Sequence, residues 1–310
     1  MIETIDAIHL NFDSGSLVAL NVILGLIMFG VALSLKVSDF QFLLKRPWAP
    51  MVALFAQFLV LPAATWALTR ILGLPPSISL GMILVASCPG GNMSNFIAHI
   101  TRANTALSIS VTAVSTACSV VMTPLNVTFW GSMSPDTAAI LNDLHIAPME
   151  MLGNVFVILG IPMVLGMTLR ARYPKFALRL VRPFKLGSIG LFGLLLVVAF
   201  HNNLEVFAAV IGLIFFPVAL HNALAWTVGY GTAMIARLPG DDRRAISIEV
   251  AIQNSGLGLV LIFGFFDGLG GMAIVAGWWG IWHIIAGFSM ASFWNLLHRK
   301  RTTPFTEAES

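Results

Sequence analysis

The chain has 310 residues, of which 57% are hydrophobic and 10% are charged, and its formal net charge at pH 7 is +3. Soluble domains carry about 25% charged residues, so this composition excludes a soluble globular protein and indicates one that lies largely within a lipid bilayer. The acidic N-terminal stretch MIETIDAIHLNFDSGS lacks the basic start of a signal peptide, and both cysteines, Cys88 and Cys118, lie in apolar segments typical of buried thiols.

Apolar runs of about 20 residues, long enough to cross a bilayer core of about 30 Å, recur along the whole chain. They predict an all-α polytopic membrane protein with nine transmembrane helices. In chain order, the predicted spans are 15–35, 48–72, 77–100, 103–129, 148–170, 184–203, 205–236, 243–265 and 269–298.

The basic residues follow the predicted alternation of loops. If the N-terminus lies outside and nine helices cross, the inside loops hold 16 of the 17 Lys and Arg residues, and only Arg70 lies outside. Because Lys and Arg accumulate in cytoplasmic loops, we expect residues 1–14 outside and residues 299–310 as a cytoplasmic tail. We therefore expect a multi-pass protein of the cell (inner or plasma) membrane, monomeric in the lipid bilayer and without a nucleic-acid partner.

Two of the predicted spans contain a polar interruption. SCPGGNMSNF breaks the span 77–100, and IQNSG breaks the span 243–265. Non-helical backbone at membrane depth is tolerated only where protein buries it or where it lines a cavity, and a pair of such breaks indicates the binding site of a secondary transporter. The breaks occupy equivalent places in a first repeat of four helices (15–129) and a second of five (148–298). This pattern predicts inverted repeats with two discontinuous crossing helices; the alternative is two unrelated Gly/Pro kinks.

Glu249 is the only carboxylate predicted within the membrane, because the other thirteen acidic residues lie at the ends of spans or in loops. A carboxylate at that depth is costly and indicates a functional site by default. Gln253 follows one helical turn later, and a carboxylate, an amide oxygen and the carbonyls freed by a break suit a hard cation. Ser108 and Thr112 share a helix face near the first break and are further candidate ligands. The alternative for Glu249 is a protonated carboxyl group with a structural hydrogen bond.

Other polar residues within the spans favour a packing or structural role when each is considered alone: Gln57, Ser115, Ser119, His221, Asn222 and His283. The run PGDDRR at 239–244 predicts the start of a helix, with its acidic residues in the first turn, rather than an Asp-rich metal motif.

The residues around both breaks resemble those of a known family. Five stretches are similar to the bile acid:sodium symporter family, and to its bacterial members most closely: IMFGVALSLKVSDF at 27–40, CPGGNMSN at 88–95, TALSISVTAVST at 105–116, IEVAIQNSG at 248–256 and GIWHIIAG at 280–287. The resemblance covers essentially the whole chain and implies two sodium sites where the discontinuous helices cross.

The resemblance also implies which residues form each site. The first sodium site would use Ser94, Asn95, Ser108, Thr112 and Glu249. The second would use Gln57, Glu249, Gln253 and the backbone carbonyls of Val250 and Ile252. Substrate contacts would come from Asn92, Asn254, Ser255 and His283.

The function implied by the resemblance is sodium-coupled import of a small organic anion, a bile acid or another carboxylate such as pantoate, with two Na⁺ ions co-transported by alternating access. A core of the third, fourth, eighth and ninth spans would move against a panel of the remaining helices. Unwinding at 89–92 and 254–256 would leave two helix N-termini facing the anion, since no Lys or Arg lies in the membrane core.

Three other functions remain open from the sequence. They are a proton-coupled carrier, an arsenite exporter, which Cys88 near the first break favours, and a ligand sensor that does not transport. Glu249 has no convincing acid–base partner, so we expect no enzymatic activity. We expect the chain to lack the tenth, N-terminal helix of many bacterial relatives. It also carries Asn92 where a small hydroxyl residue is common, which leaves the substrate open.

Overall fold

A computed structural model describes the chain at 6, 14–34, 47–91, 93–144, 148–202 and 204–302. No β-strand occurs in these residues, most of which are helical. The described helices, in chain order, are α1 Ser14–Ala32, α2 Trp48–Leu72, α3 Pro76–Ser87, α4 Met93–Ile100, α5 Thr105–Ser132, α6 Pro135–Asp143, α7 148–172, α8 Pro174–Asn202, α9 Leu204–Ile235, α10 Gly240–Ala251, α11 Ser255–Phe265 and α12 Gly270–Thr302.

Five helical stretches are long and apolar enough to cross a membrane by length and composition: Trp48–Leu72, Thr105–Ser132, Leu152–Arg172, Ile211–Ile235 and Gly270–Leu296. Three shorter stretches are apolar as well: Asn21–Ala32, Pro76–Ser87 and Ser255–Phe265. Two of these shorter stretches, Pro76–Ser87 and Ser255–Phe265, are halves of the predicted broken spans. The first span is interrupted between Ser87 and Met93, and the second between Ala251 and Ser255.

Both α2 and α7 contain one wide π turn, at Ala56–Val60 and Phe156–Gly160. A proline follows each turn, Pro62 in α2 and Pro162 in α7. Proline has no backbone N–H and its ring crowds the preceding turn, so the helix widens there instead of closing a regular bond. The first π turn includes Gln57, which is completely buried.

The helix boundaries differ from the predicted spans in three places. Helix α8 begins at Pro174 rather than near 184, because its basic first turns are helical although they are too polar for a membrane core. Helix α12 continues to Thr302, four residues beyond the predicted end of the last span at 298. Helix α6 was not predicted at all, although Pro in its first turn and Asp136 beside it are typical of a helix start.

The second break was also placed too late. The helix ends at Ala251 and resumes at Ser255, so the unwound residues are 252–254 and not 254–256. The Asn254 side chain accepts a hydrogen bond from the Leu257 amide at 3.2 Å and thereby acts as the N-cap of α11. Asn and Ser therefore mark the start of the second half-helix rather than the middle of the break.

The helices pack in two sets. Helix α1 packs against α7 and α8, whereas α2 and α9 pack against each other and against the broken helices. Contact between α9 and α10 is closest at Gly229, where an added Cβ would lie 2.7 Å from Ser247 Cα. The Ser247 hydroxyl donates to the Trp226 carbonyl at 2.8 Å in the same contact. Helix α9 is therefore joined firmly to the second broken helix.

Loops that the charge pattern predicts on the same side of the membrane lie together. At one end, the Arg244 guanidinium donates to the Arg102 carbonyl at 3.1 Å, and the Asn104 amide donates to Asp242 at 2.7 Å. Asp241 and Asp242 lie in the first turn of α10, as predicted for PGDDRR. At the other end, Arg70 and Asp136 line a cavity of about 180 Å³ between α2, α3 and α6.

Candidate functional site

The two breaks meet and are joined backbone to backbone. Gly90 and Gln253 form an antiparallel bridge. The flanking hydrogen bonds run from the Gly91 amide to the Ile252 carbonyl (2.6 Å) and from the Asn254 amide to the Pro89 carbonyl (2.9 Å). Each break therefore satisfies backbone groups of the other, which water cannot do at membrane depth. Two breaks that are 163 residues apart in the chain, Gly90 and Gln253, therefore lie directly against each other.

The register of the bridge makes the two breaks locally equivalent. Gly90 corresponds to Gln253, and the two flanking hydrogen bonds exchange when the breaks are exchanged. Two residues before the bridge, Cys88 then corresponds to Ala251. Two residues earlier still, Ala86 corresponds to Glu249.

Hydroxyl groups from two helices, α4 and α5, converge on one carboxylate oxygen of Glu249, which lies on α10. The hydroxyl oxygens of Ser94, Thr112 and Ser108 lie 2.6, 2.9 and 3.4 Å from Oε2. Asn95 Oδ1 lies 2.8 Å from the Ser108 hydroxyl and 3.2 Å from that of Thr112. All five residues predicted for the first sodium site are thus in one cluster, which supplies the oxygen atoms that hard cations prefer.

A second cluster lies at the same crossing and contains amide side chains. The Gln57 amide nitrogen donates to the Cys88 carbonyl at 2.7 Å and to Gln253 Oε1 at 2.8 Å. The Gln253 amide nitrogen donates to the Val250 carbonyl at 2.6 Å. The carbonyl of Ile252 accepts from the first break, and a carbonyl oxygen with one hydrogen bond keeps a second lone pair for another partner.

Two buried oxygen atoms at the crossing have no hydrogen-bond partner: Oε1 of Glu249 and Oε1 of Gln57. Glu249 is 0% exposed, and among the acidic side chains that the structure describes it alone is buried. A methyl group on Gly90 would collide with the Glu249 carboxylate, so the bare backbone of the first break makes room for it. An unsatisfied buried carboxylate oxygen is costly, and a cation beside it would remove that cost.

The predicted substrate residues are placed differently from one another. Asn92 lies outside the described residues. Asn254 is half-buried and its side chain caps α11, while Ser255 is buried and begins that helix. His283 is buried on α12.

The face of α12 that carries His283 approaches the crossing. An added Cβ at Gly280 would lie 2.8 Å from the Ser255 hydroxyl, and one at Gly287 would lie 3.2 Å from the Ile252 side chain. His283 lies between these two glycines at helical spacing, so it is on the same face.

The contacts of Ser115, Ser119 and His221 agree with the structural role predicted for each of them. The Ser115 and Ser119 hydroxyls donate to carbonyls of their own helix, at Thr112 and Thr116. His221 is fully buried, and its Nε2 lies 2.8 Å from the Thr65 hydroxyl.

Two residues that hold the breaks in place were missed from the sequence. The Asn222 amide donates to the Ala251 carbonyl at 2.8 Å, and the Thr123 hydroxyl donates to the Ser87 carbonyl at 2.7 Å. Each satisfies a carbonyl at the end of a half-helix, where the intrahelical partner is missing. The only sequence signal was a polar side chain in an apolar helix, which more often reflects packing.

The chain combines two broken helices with a buried carboxylate among hydroxyl and amide oxygens. This architecture is typical of the class of secondary transporters. The sequence profile of the Sodium Bile acid symporter family matches residues 21–210. The chain therefore belongs to this family of sodium-dependent transporters, and it is a multi-pass membrane protein.

Three relatives illustrate the similarity. The Bacillus subtilis protein named uncharacterized sodium-dependent transporter YocS is 30% identical over 283 residues, which cover 91% of this chain and 84% of the relative. The rice chloroplastic protein named probable sodium/metabolite cotransporter BASS2 is 33% identical over 77% of this chain and 55% of its own length. The human ileal sodium/bile acid cotransporter is 28% identical over 77% of this chain and 67% of its own length.

Proposed function

We propose that the protein imports a small organic anion together with two sodium ions by alternating access in the cell membrane. The observation that carries this proposal is the environment of Glu249. One carboxylate oxygen is surrounded by hydroxyl groups of α4 and α5, and the other is buried without a partner beside Gly90. With one sodium ion in each cluster, the two ions together would use both carboxylate oxygens of Glu249.

The two clusters support two ions rather than one. The hydroxyl cluster belongs to α4, α5 and α10, whereas the amide cluster belongs to α2 and the second break. Glu249 is the one carboxylate available to both among the described residues. The first cation would offset the burial cost of the carboxylate, and the substrate anion would offset the charge of the second, so that sodium and substrate would each improve the site for the other.

The substrate anion would be held at the same crossing. Helices α4 and α11 begin at Met93 and Ser255, directly after the two breaks, and helix N-termini carry partial positive charge. No Lys or Arg is among the buried side chains that the structure describes. Helix dipoles, the buried His283 and the sodium ions would therefore meet the charge of a carboxylate. The human relative's name includes bile acid, and bile acids and smaller carboxylates such as pantoate are the substrates we propose to test.

The moving unit that we propose is larger than the sequence predicted. The panel predicted from the sequence included α2 and α9, but the side chains of Gln57 and Asn222 bind the two breaks from these helices. Such buried bonds favour a core that includes α2 and α9. The panel would then consist of α1, α7 and α8, which pack on one another.

We further propose nine membrane spans in two inverted repeats, with the N-terminus outside and the C-terminus inside. Counting α3 with α4 and α10 with α11 as one broken span each, and leaving out α6, the described helices fit that number. The contacts between loops support the alternation, because Arg102 and Arg244, both predicted inside, are hydrogen-bonded. The matching carboxamide bonds to the two breaks, from Gln57 to the Cys88 carbonyl and from Asn222 to the Ala251 carbonyl, support the repeats.

Uptake into proteoliposomes tests the function directly. A panel of radiolabelled organic acids, including a bile acid and pantoate, is offered with an inward sodium gradient, with potassium in place of sodium, and with a proton gradient alone. We expect accumulation of at least one acid that requires the sodium gradient. Accumulation driven by the proton gradient alone would contradict sodium coupling and favour a proton-coupled carrier, and binding without accumulation would favour a sensor.

A further inference from the structure

The Asn222 side chain is fully engaged between α9 and the end of α10. It is 1% exposed, and its amide nitrogen donates to the Ala251 carbonyl at 2.8 Å. The indole N–H of Trp226, one turn later on the same helix, donates to Asn222 Oδ1 at 3.0 Å. An indole N–H is a donor only, so this bond fixes which end of the amide faces Ala251.

Ala251 lies between the residues proposed to bind sodium. Helix α10 ends here, and its last carbonyls lack intrahelical partners. The structure gives each of them a different donor: Gln253 Nε2 for Val250, Asn222 Nδ2 for Ala251 and the Gly91 amide for Ile252. Of these three donors, Asn222 alone comes from outside the two broken helices, so it fixes the break relative to its surroundings.

The first break has a bond that corresponds to the bond from Asn222 to Ala251. Ala251 is the equivalent of Cys88, and the Cys88 carbonyl accepts from the Gln57 amide at 2.7 Å. The same bond, from a carboxamide on a neighbouring helix to the equivalent carbonyl, is therefore present at both breaks. Gln57 was assigned to a sodium site, whereas Asn222 was assigned only a packing role.

We propose that Asn222 is a positioning residue for the sodium site: its amide, oriented by Trp226, holds the Ala251 peptide so that Glu249, Val250 and Ile252 face the cations. This inference rests on the proposed sodium binding at Glu249. Without the amide, the Ala251 carbonyl is buried and unsatisfied, and the break rotates to find another donor. The carbonyls on either side then turn away from the site.

The test is a sodium titration of the melting temperature of the full chain in detergent, with choline keeping the ionic strength constant. Asn222→Ala removes the donor, and Trp226→Phe keeps most of the ring but removes the N–H that orients the amide. We expect the apparent sodium Kd to rise about tenfold in Asn222→Ala, which corresponds to about 1.4 kcal/mol, and by a smaller factor in Trp226→Phe. If Asn222→Ala does not yield folded protein, Trp226→Phe decides the question.

Ser247→Ala is the matched control. It removes a buried hydrogen bond of equal length, 2.8 Å, between the same two helices, but away from the break. We expect it to lower the melting temperature without sodium and to leave the sodium Kd unchanged. An unchanged Kd in both Asn222→Ala and Trp226→Phe, or an equal rise in Ser247→Ala, overturns the positioning role. A parent protein that sodium does not stabilise would instead overturn the sodium assignment, and this inference with it.

Discussion

The two breaks are equivalent in backbone geometry and opposite in what their residues contribute. In the register of the bridge, Glu249 corresponds to Ala86 and Gln253 to Gly90. The second break supplies the charge and the amide, and the first supplies room for them, because Gly90 lies against the Glu249 carboxylate. Two similar backbones thus form one asymmetric cluster, in which the charged and amide side chains come from the second break and the space for the carboxylate comes from the first.

Under the proposed function, this difference explains why a pair of breaks would suit a cation better than either break alone. A carboxylate at membrane depth needs both partners and space. The first break contributes Ser94 from its second half-helix and leaves no side chain at Gly90. We therefore expect three different effects on sodium binding. Filling the space at Gly90 should have the largest effect, removing a single ligand an intermediate one, and changing a substrate residue the smallest.

Filling the space should have the largest effect. Gly90→Ala places a methyl group where the Glu249 carboxylate lies, so the carboxylate must leave the Ser94 and Thr112 hydroxyls. We expect the sodium-dependent rise in melting temperature to disappear and uptake to fall by about 100-fold, a loss of roughly 2.7 kcal/mol. Gly91→Ala is the matched control, since its methyl would lie 3.1 Å from the Gln253 carbonyl and away from the carboxylate. Equal losses in the two variants would show that the breaks tolerate no methyl group anywhere and that Gly90 has no special relation to Glu249.

Removing single ligands should have an intermediate effect. Ser108→Ala removes a hydroxyl from the first cluster, and Gln253→Ala removes the amide from the second. Each should cost about 1–2 kcal/mol of sodium binding, a factor of roughly 5–30 in apparent affinity, measured by sodium titration of the melting temperature. Ser119→Ala should leave the titration unchanged, because that hydroxyl bonds only within its own helix in the described structure. A Ser119→Ala effect as large as that of Ser108→Ala would contradict the assignment of the hydroxyl cluster.

Changing the substrate side should have the smallest effect on sodium. His283→Ala should weaken substrate binding by about tenfold, since a buried polar contact to the anion is worth about 1–2 kcal/mol, while the sodium titration without substrate stays within twofold. His221→Gln serves as the control for a buried histidine, because its carboxamide keeps a hydrogen-bonding group for the Thr65 hydroxyl on the neighbouring helix. Isothermal titration with the transported acid measures the first effect. If sodium affinity falls as far as substrate affinity in His283→Ala, the two sites are not separate.

Asn254 is a less informative target than the sequence suggested. Its side chain caps α11, so Asn254→Ala would also destabilise the half-helix by about 0.5–2 kcal/mol. Any change in substrate binding would then combine lost contacts with a frayed helix start.

The sequence predicted the membrane class, the existence of both breaks and the residues around Glu249, because each depends on a strong local signal. Polar and glycine residues inside apolar spans identified the breaks, and the resemblance to a family connected Ser94 with Thr112 and Gln57 with Gln253. The exact start of α11 was missed, since Asn254 can belong either to a break or to a cap and the spacing alone does not decide.

Partners that act across the fold were beyond the sequence. Asn222 precedes Ala251 by 29 residues and meets it only because α9 and α10 pack closely at Gly229. Helix α6 and the basic first turns of α8 were missed because hydropathy identifies membrane-buried stretches, whereas helices continue beyond the bilayer.

We propose that Glu249 serves two sodium ions. The most direct test of this role is to measure how sodium changes the melting temperature of the parent protein and of Glu249→Gln in detergent. A ligand at 100 times its Kd stabilises the folded state by about 2.7 kcal/mol. We predict that sodium, but not potassium or choline, raises the melting temperature of the parent, and that Glu249→Gln loses nearly all of this rise because both sites lose their charge. No sodium-dependent rise in the parent, or an equal rise in a folded and monodisperse Glu249→Gln, would contradict the claim.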